Sequence, residues 1–313
     1  PVGVLADTGI PFLSMRKVAI ASSAVVLAVG LSSMVAINGL KPGIDFAGGT
    51  LLELHFDPPV GVEQIRSQLR EVDVEGRTQD LSSSEIKRFG SDSDILIRVT
   101  ESETGTDVAD GIKAALRSGL AGSVEDTEWV RRQEKVGPKI GEELSGAAVR
   151  AVLVSLGLIL VYMAWRFKQF LYGIAAVVAL FHDVLLTLGI LSLLDVEITL
   201  AVVAGILAIV GYSLNDTIVV FDRIRENLRS ARRLSFSELI DTSINECLSR
   251  TVVTSLTTLI AVVVLMVWGG EVIRDFTITL LIGILVGTYS SVFIASPTLY
   301  YGHLRAEGAD KDD

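Results

Sequence analysis

Six apolar runs, each long enough to cross a bilayer, alternate with polar segments along the chain, and their spacing decides the architecture. They fall near residues 18–37, 147–165, 171–194, 198–220, 250–268 and 276–299. A hydrocarbon core of about 30 Å needs roughly 20 helical residues at 1.5 Å each. The pattern therefore predicts six transmembrane helices. Arg16 and Lys17 precede the first run, Arg166 and Lys168 separate the second from the third, and an arginine-rich stretch from Arg223 to Arg233 follows the fourth. The alternate loops hold only Asp195 and Glu197, or Glu271, Arg274 and Asp275. Lys and Arg in short loops mark the cytoplasmic side, so both termini are expected inside. Arg16 and Lys17 before an apolar run resemble a signal peptide, but the run reaches spanning length without a clear A-x-A site, so an uncleaved signal anchor is expected.

This arrangement divides the chain into an inner N-terminus (1–17), a first span (18–37), an outer domain (38–146), five further spans (147–299) with an inner basic connector (221–249), and an inner tail (300–313). The outer segment has its own periodicity. TLLELHF at 50–56 alternates as a strand, and Val62, Ile65, Leu69 and Val72 within 61–72 fall on one helical face. Residues 76–82 read as a weak strand and DILIRVT at 94–100 as a clear one. Val108, Ile112, Ala115, Leu116 and Leu120 share a helical face within 106–120, and 124–132 closes the unit as a last strand. The order β-α-β-β-α-β is that of the ferredoxin-like α+β fold. In the connector, Ser235 and Glu238 stand at capping-box spacing, which predicts the start of a surface helix. The tail from Glu307 to Asp313 reads as disordered.

Composition agrees with a membrane protein. Half of the 313 residues are apolar, and the mean hydropathy is +0.53. A net charge of −10 argues against nucleic acid as a partner, and most of the acids lie in 40–146. The basic connector suits anionic membrane lipids as well as topology control. A single cysteine, Cys247, excludes an intrachain disulfide framework. No metal or haem motif is present, nor a Walker loop, GxSxG or HExxH, so no cofactor and no known catalytic motif is expected. No internal repeat stands out.

Candidate chemistry lies in the charges inside the spans, because an Asp or Arg at a helix centre costs about 2.5–3.5 kcal/mol on insertion scales. Asp216 sits about five residues inside the inner end of the fourth run, hence ~7 Å deep. Arg250 opens the fifth run from the same side. Consecutive antiparallel helices set the two at similar depth, where an ion pair lowers the cost of each. Asp216 reads as a reversibly protonated carboxylate, with Asn215, Tyr212 and Thr217 as hydrogen-bond partners. His182 and Asp183, mid-way along the third run, read either as an interhelical bond or as a second titrating station. Arg150 reads as structural. Gly283 and Gly287 form a GxxxG of little weight alone, and Gly48-Gly49 signals a turn.

Several blocks carry a resemblance. GIDFAGGT at 43–50 looks like the opening signature of the SecD/SecF family. VGPKIGEEL (136–144), ALFHDV (179–184), GYSLNDTIVVFDRIREN (211–227), LSRTVVTSLTTL (248–259) and GTYSSVFIASP (287–297) make it specific, and the 211–227 string resembles the SecF branch. The resemblance implies a six-helix half-bundle of the RND superfamily in a bacterial inner membrane. It would work with SecD beside SecYEG, with YajC and YidC as further partners, and use the proton motive force to help an unfolded polypeptide complete its exit. In the family the Asp of the YS-x-ND motif and the Arg of the LSRT motif belong to the proton pathway, which implies that role for Asp216 and Arg250. Two other readings also accommodate intramembrane acids: an exporter subunit for small molecules or lipids, and a scaffold whose acids never titrate.

Overall fold

A computed structural model describes residues 8–74, 76–100, 108–124, 128–230 and 234–309. Two compact units result, one of residues 1–41 and 150–313 and one of residues 42–149.

In chain order, a 3-10 turn at Phe12–Met15 leads into α1 (Arg16–Ser32), which ends in a π turn at Ser33–Ile37. The second unit follows with α2 (Ile44–Ala47), β1 (Gly49–His55), α3 (Val62–Gln68), β2 (Val72–Val74), β3 (Arg77–Gln79), β4 (Glu85–Phe89), β5 (Ser91–Val99), α4 (Val108–Gly119) and β6 (Val130–Val136). The remaining helices are α5 (Pro138–Phe167), α6 (Phe170–Leu193), α7 (Leu200–Ser230), α8 (Phe236–Trp268), α9 (Arg274–Ser290) and, after a π turn at Ser291–Ala295, α10 (Ser296–Ala309).

The sheet of the second unit has the order β4-β5-β1-β6, all pairs antiparallel. That is the ferredoxin-like arrangement, with the expected helices α3 and α4 after its first and third strands. Leu52 and Leu54 of β1, Ile95 and Ile97 of β5, Ile65 of α3 and Ile112 and Leu116 of α4 form its core. Two strands lie elsewhere than the sequence suggests. The second strand of the sheet is 85–89, whereas 76–82 contributes only to the β2-β3 ribbon, which turns at Gly76 with φ of 77°. The last strand is 130–136, and 125–127 of the expected 124–132 lie outside the described residues, as do 106–107 of the expected second helix.

Gly48 and Gly49 open β1 with φ of 72° and 129°, values that L side chains rarely adopt. A Cβ on Gly48 would stand 2.8 Å from Cα of Pro138, and one on Gly49 would collide with the carbonyl oxygen of Val99. Both objections apply to any side chain. Gly49→Ala is therefore expected to destabilise this unit by about 1–3 kcal/mol, seen as a lower unfolding midpoint of the purified chain; an unchanged midpoint would contradict the geometry.

Among the described residues, six helices are long and apolar enough to cross a membrane: Phe12–Ile37, Pro138–Phe167, Phe170–Leu193, Leu200–Ser230, Phe236–Trp268 and Arg274–Ala306. The helices run further than their apolar runs. α7 continues through the arginines to Ser230, and the helix capped by Ser235 and Glu238 continues without a break to Trp268. The expected separate surface helix is therefore the first three turns of α8, and 231–233 of the expected connector lie outside the described residues. The last helix runs on to Ala309, beyond the expected start of the tail, and 310–313 lie outside the described residues. At the other end Phe12 and Leu13 are buried rather than part of a polar terminus, and Asn245 of α8 bonds both the N–H and the carbonyl of Ile10 at 3.1 and 2.9 Å.

α6, α7 and the last span form the buried centre, whereas α5 is largely exposed within this chain and buries only its end, at Met163 and Phe167. Small residues allow the helices to approach. Gly30 of α1 meets Gly189 of α6 so closely that a Cβ on either would lie within 2.9 Å of the other backbone. Gly283 and Gly287 of α9 face Ile209 and Ser213 of α7 with no room for a side chain at either place. The GxxxG is thus a principal helix contact. The π turn after Ser290 has a local cause: Pro297 has no N–H for the carbonyl of Phe293, and its ring crowds that carbonyl.

Candidate functional site

The contact between α7 and α9 carries polar groups in register with its glycines. Ser213 lies beside Gly287, and one turn further on α7 comes Asp216, level with Ser290 at the end of α9. From the third side α6 brings Asp183. Its carboxylate is 1% exposed. Oδ2 accepts hydrogen bonds from Ser213 Oγ at 2.6 Å and Ser290 Oγ at 2.7 Å, and Oδ1 pairs with His182 Nδ1 at 3.0 Å. One acid thus ties α6, α7 and α9 together, and both its oxygens are satisfied.

Asp216 is as deeply buried, at 2% exposure, yet its Oδ2 has no hydrogen-bond partner among the described residues. Ser255 of α8 and the adjacent Asn215 lie against the carboxyl. Ser255 Oγ is itself 2.7 Å from Thr288 Oγ1 of α9, so the site is walled by α7, α8 and α9. A buried ionised carboxylate with an unused lone pair is costly in a low-dielectric setting, whereas its protonated form is not. The contrast assigns different chemistry to the two acids: Asp183 is held by hydroxyl donors, and Asp216 is poised to gain or lose a proton.

Arg250 departs from expectation. It makes no ion pair with Asp216 and acts on it only through space, with an exposed side chain. The buried positions of α8 are Leu239, Ile240, Ser243, Ile244, Cys247, Thr251, Ser255 and Val262, and Arg250 is not among them. Tyr212 does not reach Asp216 either, for its hydroxyl is buried without a partner among the described residues, as is His182 Nε2. Thr217 is buried but makes no hydrogen bond to Asp216 among the described residues. Arg150 is exposed on α5, away from this cluster. Ser213, Ser255, Thr288 and Ser290 were not singled out in the sequence; their only signal is a hydroxyl residue recurring among the small residues of apolar helices.

The comparisons now decide the family. Residues 117–305 match the profile of the protein export membrane protein SecD/SecF C-terminal region, and residues 34–60 match the SecD/SecF GG motif. The chain belongs to the SecD/SecF family. Among its curated SecD/SecF relatives, protein translocase subunit SecF of Desulfurispirillum indicum is 48% identical over 93% of this chain and 91% of its own length. SecF of Haemophilus influenzae is 40% identical over 95% and 87%. The crystal structure of SecDF, a translocon-associated membrane protein from Thermus, aligns with TM-score 0.82 at 38% identity. It covers 97% of this chain, which spans only 40% of that SecDF chain. The GG motif contains the Gly48-Gly49 pair whose backbone angles exclude side chains.

Proposed function

We propose that this chain is the SecF-type subunit of a protein-export assembly, in which proton movement through Asp216 drives polypeptide export on the outer side of a bacterial inner membrane. The observation that carries the reading is the buried Asp216 oxygen without a partner, beside an Asp183 whose oxygens are all engaged. The SecF relatives and the alignment to part of SecDF support SecD as the companion that completes the assembly, with SecYEG as the channel it serves. The exposed Arg250 is a surface for such a companion to cover, since intramembrane charge needs protein around it. Arg250 is then a flanking cation that biases the ionisation of Asp216 from outside its contact shell.

Orientation follows the positive-inside rule, with both termini cytoplasmic. A reporter fused at residue 100 is expected to read outside and one fused at residue 230 inside; the reverse at either position would reject the topology. Function is tested in proteoliposomes containing SecYEG and SecD, with and without this chain, under an imposed proton gradient. Gradient-dependent export should require the chain, and Arg250→Lys, which keeps charge but loses the planar fork, should lower export without abolishing it. Equal export without the chain would refute the assignment.

A further inference from the structure

A second polar feature lies away from the acid cluster, at the end of the bundle where α5 finishes and α7 carries its arginines. A cavity of about 500 Å³ is lined by Arg166, Asp222, Arg225, Glu226, Arg229 and Ser230. Its charges are unequally paired. Asp222 is taken by Arg166 at 2.7 Å, and Glu226 by Arg223 at 2.7 Å, an arginine that also holds Glu246 at 2.6 Å. Arg225 has a single long contact of 3.4 Å to the carbonyl of Arg166, and Arg229 makes no hydrogen bond or ion pair among the described residues. Two guanidiniums therefore border the cavity with donors to spare, a geometry suited to a phosphate.

What leads to the cavity is apolar. Val154, Leu158, Val161 and Trp165 project from α5 at helical spacing and are 59–75% exposed, with Tyr162 beside them at 44%. Trp and Tyr near a helix end mark the headgroup level of a bilayer, and Arg166 follows directly, its guanidinium 5.4 Å from the Phe167 ring. The ridge fits an acyl chain, and the arginines at its end fit a headgroup.

We infer that this cavity is a binding site for an anionic phospholipid, whose phosphate is held by Arg225 and Arg229 while an acyl chain lies along the exposed ridge of α5. Basic pockets between helices at the membrane surface recognise such headgroups, at about 1 kcal/mol per basic residue, or about fivefold in affinity. Occupancy would reinforce the end of α5, where Arg166 pairs with Asp222 and Phe167 packs on Phe221, against α7, the helix that carries Asp216.

Native mass spectrometry of the full chain in mild detergent tests this, titrated with phosphatidylglycerol, with phosphatidylcholine of the same acyl chains, and with inorganic phosphate as competitor. The chain should bind the first phosphatidylglycerol about 25-fold more tightly than Arg225→Gln/Arg229→Gln does, two fivefold steps. Phosphatidylcholine should bind both weakly and alike, and millimolar phosphate should not displace the lipid. Equal phosphatidylglycerol affinity in the double variant, or equal affinity of the chain for both lipids, would overturn the inference. Displacement by phosphate would reassign the site to a soluble anion. The variant gives up only the long contact of Arg225 to the Arg166 carbonyl, and a matching thermal midpoint verifies that it is folded.

Discussion

Asp216→Asn is expected to abolish gradient-dependent export while leaving the protein folded and paired with SecD. The substitution keeps the size and a carbonyl acceptor but removes the titrating proton. Loss of a positioned proton-transfer group costs at least about 100-fold in the step it serves. Stability should not fall, because the native Oδ2 is buried without a partner and replacing a buried, incompletely bonded carboxylate by a neutral amide removes a desolvation cost. Export is measured in proteoliposomes with and without the gradient, and stability by thermal melting in detergent. Full export by Asp216→Asn would make the residue structural and would move the search to His182 and Asp183.

Asp183 is expected to show the opposite profile. Asp183→Ala removes the acceptor from Ser213 Oγ, Ser290 Oγ and His182 Nδ1 at once. At roughly 0.6 kcal/mol for an average hydrogen bond between membrane helices, three such bonds set a floor of about 2 kcal/mol. Stranding buried polar groups raises the ceiling to about 5 kcal/mol. Asp183→Asn retains an acceptor for the two serines and should lose about 1 kcal/mol. Thermal melts of the two variants should thus separate widely, with Asp183→Ala much the lower. Two variants of equal stability would show that the hydroxyl bonds do not hold the bundle.

The two acids look alike in the sequence, each a lone carboxylate in an apolar helix. What separates them is tertiary. The serines that satisfy Asp183 lie 30 and 107 positions away, and no local pattern names them. The spans themselves were legible because a bilayer imposes one length and one chemistry on them. Their ends were not, since α7 and α8 extend through arginines and acids that an apolar count treats as loop. The outer unit shows the same division. β1 and β5 stand out because they are apolar on both faces, Leu52, Leu54, Ile95 and Ile97 packing in the core with α3 and α4 and Leu51 and Leu96 in a second cluster with Ile44, whereas β4 (EIKRF) and β6 (VRRQEKV) are polar edge strands with few buried positions. Charged side chains are what protect such edges from pairing with another chain, so the feature that stabilises the sheet in isolation also hides its outer strands.

The central claim, that Asp216 exchanges a proton while Asp183 remains a structural acceptor, is tested most directly by infrared difference spectroscopy of the reconstituted protein with SecD, recorded between alkaline and acidic pH. Protonation of a buried carboxylate adds a carboxylic C=O stretching band. That band should appear in the native protein, vanish in Asp216→Asn and persist in Asp183→Asn; a band that survives Asp216→Asn and disappears in Asp183→Asn would contradict the account.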